Sequence, residues 1–209
     1  SIPASELPEN TQSGNYTYSM WFYINDWNKR YGEEKVILRR GTTDKESIKV
    51  SLGQTENNID VSILCYGDGG ASAVSDSATG TTTTPDANSD SRTHTCHINN
   101  VPLQKWVNLT ISTYGKTLDI YLNGKLYRTC VLPNIPKVDV DGEVVITPDG
   151  GFSGWTTNFL YTPKPTNPQQ AYNIYKKGYG GSFFGNIFNK YRIKVELLRD
   201  NEVAGGFEM

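Results

Sequence analysis

The sequence predicts an all-β protein, an antiparallel β-sandwich with one short helix near its C-terminus. Three observations favour this fold class. Aromatic residues, which favour strands, are abundant, with 13 Tyr, 7 Phe and 4 Trp among 209 residues. The 20 Gly and 10 Pro mark frequent turns. Roughly ten to twelve short runs have the pattern of strands, and long stretches of helical periodicity are missing.

The length and the charge of the chain limit the classes of function. A chain of 209 residues suits one domain with short extensions and can bury a substantial core. The formal net charge of -2 argues against nucleic-acid binding, which normally uses a basic surface. No run reaches the roughly 20 apolar residues of a transmembrane helix. Because the chain begins at Ser1, we expect membrane attachment, if any, only through an anchor upstream of it.

The first predicted core strand follows a polar, Pro-containing lead-in, residues 1–14. In the segment YTYSMWFYI, alternate side chains point to opposite faces of a strand. One face would carry Tyr16, Tyr18, Met20, Phe22 and Ile24, and the other Thr17, Ser19, Trp21 and Tyr23. A long central strand with both faces covered is therefore predicted. The segments EKVILRRG, SIKVSLG and NIDVSILCYG predict three further strands.

A low-complexity insertion interrupts this pattern at about residues 67–92. It has no aromatic residue and too few large aliphatic ones to offset the entropy of ordering, so it predicts a long surface loop. Cys65 and Cys96 flank the insertion. If their strands are neighbours, a disulfide between them would close the base of the loop and leave Cys130 free. Two buried, reduced thiols are the alternative.

Asn123-Gly124 predicts a tight β-hairpin after the strand WVNLTIS, which Trp106 opens. Both residues tolerate the positive φ of a type I′ turn, whose twist matches that of the flanking strands. The runs TLDIYL and KLYRTCVL would then pair in a register that places Leu122 opposite Lys125 and Asp119 opposite Arg128. Such an opposite-charge pair stabilises a hairpin by about 0.2–1 kcal/mol.

The last elements of the predicted sandwich are two strands and the helix. GEVVITPDGGFSG predicts a strand and a Gly-rich turn, and WTTNFLY another strand. In NPQQAYNIYKKG, Asn167 suits the N-cap, Pro168 the first helical position and Gln170 the capping box. Gly178 suits the left-handed C-terminal end. These signals predict a helix of about ten residues.

These segments, taken in order, resemble the concanavalin A-like, laminin G-like jelly-roll family. The resembling segments are YTYSMWFYINDW, VPLQKWVNLTIS, TLDIYLNGKLYRT, GEVVITPDGGFSGWTTNFLY and NPQQAYNIYKKG. They cover about residues 15–180 and imply a jelly-roll sandwich. The lead SIPASELP, with YTYSMWFYINDW and VPLQKWVN, further resembles sandwich domains in structural proteins of large nucleocytoplasmic DNA viruses such as chloroviruses.

The viral resemblance implies a non-enzymatic structural module of a virion, such as a minor capsid or virion membrane-associated protein. Its partners would be other structural proteins of the assembly, capsid proteins among them, at the capsid or the capsid–membrane interface. Outside that resemblance, an extracellular location is the alternative. The C-terminal extension, residues 181–209, has the alternation of a last strand or an arm. It supplies candidate partner-binding residues, namely Phe183, Phe184, Ile187 and Phe188, which would dock on the sandwich or contact a partner.

Catalytic, metal and cofactor sites are not expected. No G-x-S-x-G, P-loop or dinucleotide signature occurs. Laminarinase-type glucanases of this fold carry their carboxylates as E-x-D-x-x-E, whereas the near match Asp139–Glu143 lacks the first Glu and ends one residue early. In THTCHI, His94 and His97 flank Cys96, but a structural zinc site needs about four convergent ligands.

A lectin-like, carbohydrate-binding module is the alternative function. Modules of this fold bind sugars through exposed aromatic rings and loop Asn or Asp side chains. The candidate residues are Trp27, Tyr66, Asp68 and Trp155. Asn15 and Asn108 begin N-x-T glycosylation sequons, but both fall in predicted strands, which disfavours glycosylation.

Overall fold

The structure, a computed structural model, describes residues 1–10, 14–42, 45–67, 73–76, 80–85, 90–180, 194–199 and 202–208. The chain forms two units, Ser1–Lys176 and Lys177–Met209. In the described residues, the first is an antiparallel sandwich of two sheets with one α-helix, α1 (Pro168–Lys176), and a short 3-10 helix (Ala4–Glu6), which confirms the predicted fold class. The second unit contains one antiparallel hairpin. Phe183, Phe184, Ile187 and Phe188, the predicted partner-binding residues, lie outside the described residues.

The described residues form fourteen strands, including two inside the low-complexity insertion that were not predicted. They are β1 (Tyr16–Asp26), β2 (Lys35–Thr42), β3 (Lys45–Leu52), β4 (Ile59–Tyr66), β5 (Val74–Asp76), β6 (Thr81–Pro85), β7 (Ser91–Ile98), β8 (Trp106–Tyr114), β9 (Thr117–Leu122), β10 (Lys125–Val131), β11 (Val144–Ile146), β12 (Ser153–Thr162), β13 (Lys194–Arg199) and β14 (Glu202–Glu208). The five-stranded sheet has the order β10-β9-β8-β1-β12, and the seven-stranded sheet β11-β2-β3-β4-β7-β6-β5. In the second unit, β13 pairs with β14.

The core lies between the two sheets and confirms the alternation predicted for β1. Tyr16, Tyr18, Met20, Phe22 and Ile24 all belong to the buried apolar cluster. The opposite face of β1 is covered by α1, where the Tyr175 ring stacks on Trp21 with centroids 5.5 Å apart. Trp21 is therefore buried against the helix rather than between the sheets. Helix α1 begins with the predicted capping box, since the Asn167 side chain accepts from the Gln170 N–H at 2.8 Å and the Gln170 side chain from the Asn167 N–H at 3.1 Å.

The Asn123-Gly124 hairpin forms as predicted, but its register changes after two pairs. Both residues have positive φ, 51° and 72°. Leu122 lies opposite Lys125, and a bulge after Leu126 then places Thr129 opposite Asp119. The predicted Asp119–Arg128 pair is therefore wrong. Asp119 instead accepts a hydrogen bond from the Thr129 hydroxyl at 2.6 Å, and Arg128 donates to the His97 carbonyl at 2.5 Å.

Gly124 is required by its helix contact as well as by its backbone conformation. A Cβ at this position would lie 2.8 Å from the Tyr175 Cβ and 3.0 Å from the Tyr172 Cα, so α1 packs directly on the turn. We expect Gly124→Ala to lower the free energy of unfolding by more than the roughly 1–2 kcal/mol of a left-handed alanine. Gly115→Ala is the matched control, because Gly115 has φ +56° and open space around it. Equal losses in urea unfolding would show that the helix contact contributes nothing.

The structure contains a disulfide between Cys96 and Cys130, with Cα atoms 6.5 Å apart, so the predicted Cys65–Cys96 bond is wrong. The reason is the register of β4 and β7, in which Cys65 lies opposite Arg92 while Cys96 lies opposite Val61. Four residues along a strand separate the two thiols by about 13 Å, beyond the reach of a disulfide. The bond joins the seven-stranded sheet to the five-stranded sheet. Cys65 is a free, buried cysteine, and burial raises the pKa of its thiol to about 12.

The low-complexity insertion is partly ordered, which the loop prediction missed. The Thr81–Pro85 run forms β6 and pairs with β7 along its whole length. The structural reason is that β-branched Thr residues suit a strand when a neighbouring strand supplies their partners. The Thr83 hydroxyl, for example, lies 2.7 Å from the His94 Nδ1.

Candidate functional site

Three loops at one end of the sandwich enclose an open pocket of about 660 Å³. The loops are residues 27–34, 53–58 and 99–105, which connect β1 to β2, β3 to β4 and β7 to β8. The lining includes an indole, five amide side chains and one carboxylate, from Trp27, Asn28, Asn57, Asn58, Asn99, Asn100 and Glu56. We call this cavity the loop-end pocket.

The loops of the loop-end pocket are bonded to one another and to β1. The Val101 N–H donates to the Asn57 carbonyl at 2.8 Å, and the Asn57 side-chain amide donates back to the Val101 carbonyl at 3.3 Å. The Gln104 N–H donates to the Ile24 carbonyl at 2.8 Å. Asn100 has φ +57°, a conformation that Asn tolerates better than most residues. These bonds hold the pocket in shape before any ligand arrives.

Three of the lining amides have no hydrogen-bond partner within the described residues. Asn28, Asn99 and Asn100 line the pocket. The hydrogen bonds that these residues make use backbone groups. The Asn28 N–H donates to the Asp26 side chain, and the Asn99 carbonyl accepts from the Tyr127 hydroxyl. Each free amide can donate and accept at once. The pocket therefore offers several unused hydrogen-bonding groups to a polar ligand.

The indole of Trp27, together with Leu103, forms the apolar part of the pocket, and Trp27 packs against the core. The ammonium of Lys35 lies 5.1 Å from the ring centroid and is fully buried. Burial, and then the neighbouring Arg30, lower the pKa of Lys35. Lys35 donates to the Arg30 carbonyl at 3.4 Å. Because this ammonium is buried, it supports the indole rather than facing the pocket.

A row of aromatic rings lies on the outer face of the five-stranded sheet at the same end. Tyr23 stands directly opposite Trp106 on β8 and Trp155 on β12. Ring centroids are 5.7 Å apart for Tyr23–Trp106 and 5.3 Å for Tyr23–Trp155. The Trp155 side chain is 58% exposed. This aromatic row is a second surface on which a flat apolar ligand face can stack.

The outer face of the seven-stranded sheet carries a polar groove of about 480 Å³, lined mainly by Ser, Thr and charged side chains. Its polar groups bond chiefly to one another. His97 Nδ1 lies 2.6 Å from Asp60 and its Nε2 3.4 Å from the Thr82 hydroxyl. Lys49 pairs with Glu34 at 3.1 Å. Several polar groups of the groove are therefore already engaged with one another.

The predicted sugar-binding residues do not form one site. Trp27 lines the loop-end pocket and Trp155 belongs to the aromatic row. Tyr66, 51% exposed, lies on the other sheet with the Lys137 ammonium 4.8 Å from its ring centroid. Asp68 lies outside the described residues. Sequence reasoning missed the Asn residues, although the pairs Asn57-Asn58 and Asn99-Asn100 in two loops were a usable signal.

The described residues contain no group of three or more His, Cys, Asp or Glu side chains able to hold a metal. In the THTCHI segment, Cys96 is in the disulfide and the two histidines bond to different partners. No helix in the described part of the chain is long and apolar enough to cross a membrane. The sequon residue Asn108 is fully buried and its amide donates to the Ser19 hydroxyl at 3.2 Å, so a glycan has no space there.

Comparison with known proteins relates this fold to toxin binding domains. No family model and no curated protein matches the chain. The binding domain of botulinum neurotoxin serotype D matches with a TM-score of 0.56 and 14% identity, over 81% of this chain and 38% of that one. The binding domain of botulinum neurotoxin DC in complex with SialylT matches with a TM-score of 0.55 and 12% identity, over 79% of this chain and 36% of that one. The same domain in complex with rat synaptotagmin II matches with a TM-score of 0.52 and 13% identity, over 78% of this chain and 36% of that one.

At these identities the likeness shows a shared β-sandwich fold alone. The chain spans little more than a third of the length of these neighbours. The matches do not link the chain to viral structural proteins or to a concanavalin A-like family.

Proposed function

We propose that this protein is a non-enzymatic carbohydrate-binding module and that the loop-end pocket is its binding site. The observation that carries the proposal is the group of free amides, Asn28, Asn99 and Asn100, beside the indole of Trp27. Sugar hydroxyls need groups that both donate and accept, and the C–H face of a pyranose packs on an aromatic ring. An apolar wall with a few placed polar groups is the usual composition of a small-ligand site.

Two further observations support carbohydrate binding. The bonds among the loops mean that little ordering is needed on binding, and preorganisation of this kind raises affinity. Among the structural neighbours, one toxin binding domain was solved in complex with SialylT and one with a synaptotagmin. A sandwich of this fold is therefore compatible with proteins that bind glycans, although fold alone assigns no function.

The structural role in a virion, with capsid proteins as partners, stays a prediction. Its candidate partner-binding residues lie outside the described residues, and no observation on the sandwich favours it over carbohydrate binding.

The double variant Asn28→Ala/Asn100→Gly is expected to weaken glycan binding about tenfold or more. Each lost hydrogen bond contributes about 0.5–1.5 kcal/mol, and glycine retains the positive φ of Asn100. A glycan array identifies a ligand for the wild type, and titration calorimetry then compares the variants. Asn158→Gly is the matched control, since Asn158 has φ +52° but lies on β12 outside the pocket.

The variant Trp155→Ala distinguishes glycan binding in the loop-end pocket from glycan binding on the aromatic row. If Trp155→Ala abolishes binding while the double variant binds normally, the row is the site and the pocket assignment is wrong. A wild-type protein that binds no glycan on the array would refute carbohydrate binding altogether.

A further inference from the structure

We propose that the loop-end pocket selects neutral glycans over sialylated ones and that Glu56 sets this selectivity. The inference rests on the proposed function and names its class of ligand. Among the described residues that line the pocket, Glu56 alone is charged.

The charge of Glu56 is not neutralised by a neighbouring cation. Its Oε2 accepts a hydrogen bond from the Asn58 side-chain amide at 2.9 Å. None of the ion pairs among the described residues includes Glu56. The second carboxylate oxygen therefore remains available to a ligand. A sugar hydroxyl can donate to it and form a charge-assisted hydrogen bond, which is stronger than a neutral one.

No lysine or arginine is among the described residues that line the pocket, and Lys29 and Lys105, which belong to its loops, are outside that lining. The Lys35 ammonium is fully buried and donates to a backbone carbonyl. The Arg30 guanidinium pairs with Glu33 at 2.7 Å and donates to the carbonyls of Asp149 and Gly151 at 2.7 and 3.1 Å. Neither side chain lines the pocket. A sialic acid carboxylate in the pocket would therefore meet the Glu56 charge with no cation among the described lining residues to compensate for it.

The expected discrimination follows from the repulsion between the two carboxylates. At a separation of about 4 Å in a water-exposed site, two like charges cost a ligand roughly five- to tenfold in affinity. Salt screens exposed charges, so the preference should weaken as ionic strength rises toward 1 M. A selectivity based on shape alone would not respond to salt in this way.

The test uses an array of matched glycan pairs that differ only in a terminal sialic acid. We expect the neutral member of each bound pair to bind about five- to tenfold more tightly at low salt. Glu56→Gln, which retains the shape and the bond to Asn58, should bring the two members within about twofold, and Glu56→Lys should favour the sialylated member. Glu143→Gln is the control, because it makes the same change in net charge at an exposed position outside the pocket.

The outcomes separate this inference from the function on which it rests. If sialylated glycans bind as well as their neutral partners, or if Glu56→Gln and Glu143→Gln have the same effect, the selectivity proposal fails while carbohydrate binding stands. If neither member of any pair binds, carbohydrate binding fails and the selectivity fails with it.

Discussion

Loss of the Cys96–Cys130 disulfide should lower the free energy of unfolding by about 3–4 kcal/mol. The two cysteines are 34 residues apart in sequence. A cross-link of this span lowers the conformational entropy of the unfolded chain, which stabilises the folded state by about that free energy. The bond also ties β7 in one sheet to β10 in the other. The double variant Cys96→Ala/Cys130→Ala and the reduced wild type should show similar losses in guanidinium unfolding.

The control for this experiment is Cys65→Ala, which leaves the disulfide intact. Cys65 is buried and free, so its removal deletes one sulfur atom from the core and should cost far less than the double variant. Peptide mapping under non-reducing conditions should recover Cys96 linked to Cys130. A peptide that links Cys65 to Cys96, together with a large effect of Cys65→Ala, would show the opposite pairing.

Phe22→Ala is expected to cost about 3–5 kcal/mol, the usual range for removal of a buried aromatic side chain. Phe22 is fully buried in the apolar cluster at the centre of β1, where β8 and β12 hold the strand from both sides. Because the backbone cannot collapse into the space left by the ring, most of the cavity remains. Thermal and urea unfolding should both show the loss.

Tyr114→Ala is the matched control for Phe22→Ala. The Tyr114 side chain is 68% exposed at the end of β8, so its removal should change stability by less than about 0.5 kcal/mol. Similar effects for the two variants would mean that the two-sheet packing described for β1 is wrong.

Local patterns predicted the elements of this fold well. The period-two alternation of residues 16–24 placed the same five side chains in the core, and Asn123-Gly124 and Asn167–Gln170 marked a turn and a helix start that the structure contains. These signals work because they depend on interactions between near neighbours in sequence. The hairpin also shows their limit, since the sequence did not predict the bulge after Leu126, beside which Tyr127 and Arg128 contact the distant carbonyls of Asn99 and His97.

The loop-end pocket could not be predicted in the same way. Trp27, Glu56 and Asn100 come from three loops separated by roughly 30 to 45 residues each, and only the pairing of the strands brings those loops to one end. The Asn pairs in two of the loops are visible in the sequence, but nothing in it shows that they lie beside Trp27, which was a candidate because of its residue type. Tyr66 was a candidate for the same reason, and the structure places it on a different face.

By itself, the sequence determined that this protein is an antiparallel sandwich with a tight hairpin and a capped helix, because alternation, turn residues and caps act over a few residues. Only the tertiary structure decided which cysteines are bonded and which amides meet in one pocket. Both depend on the register between strands, where a shift of four residues along β7 moves a thiol by about 13 Å.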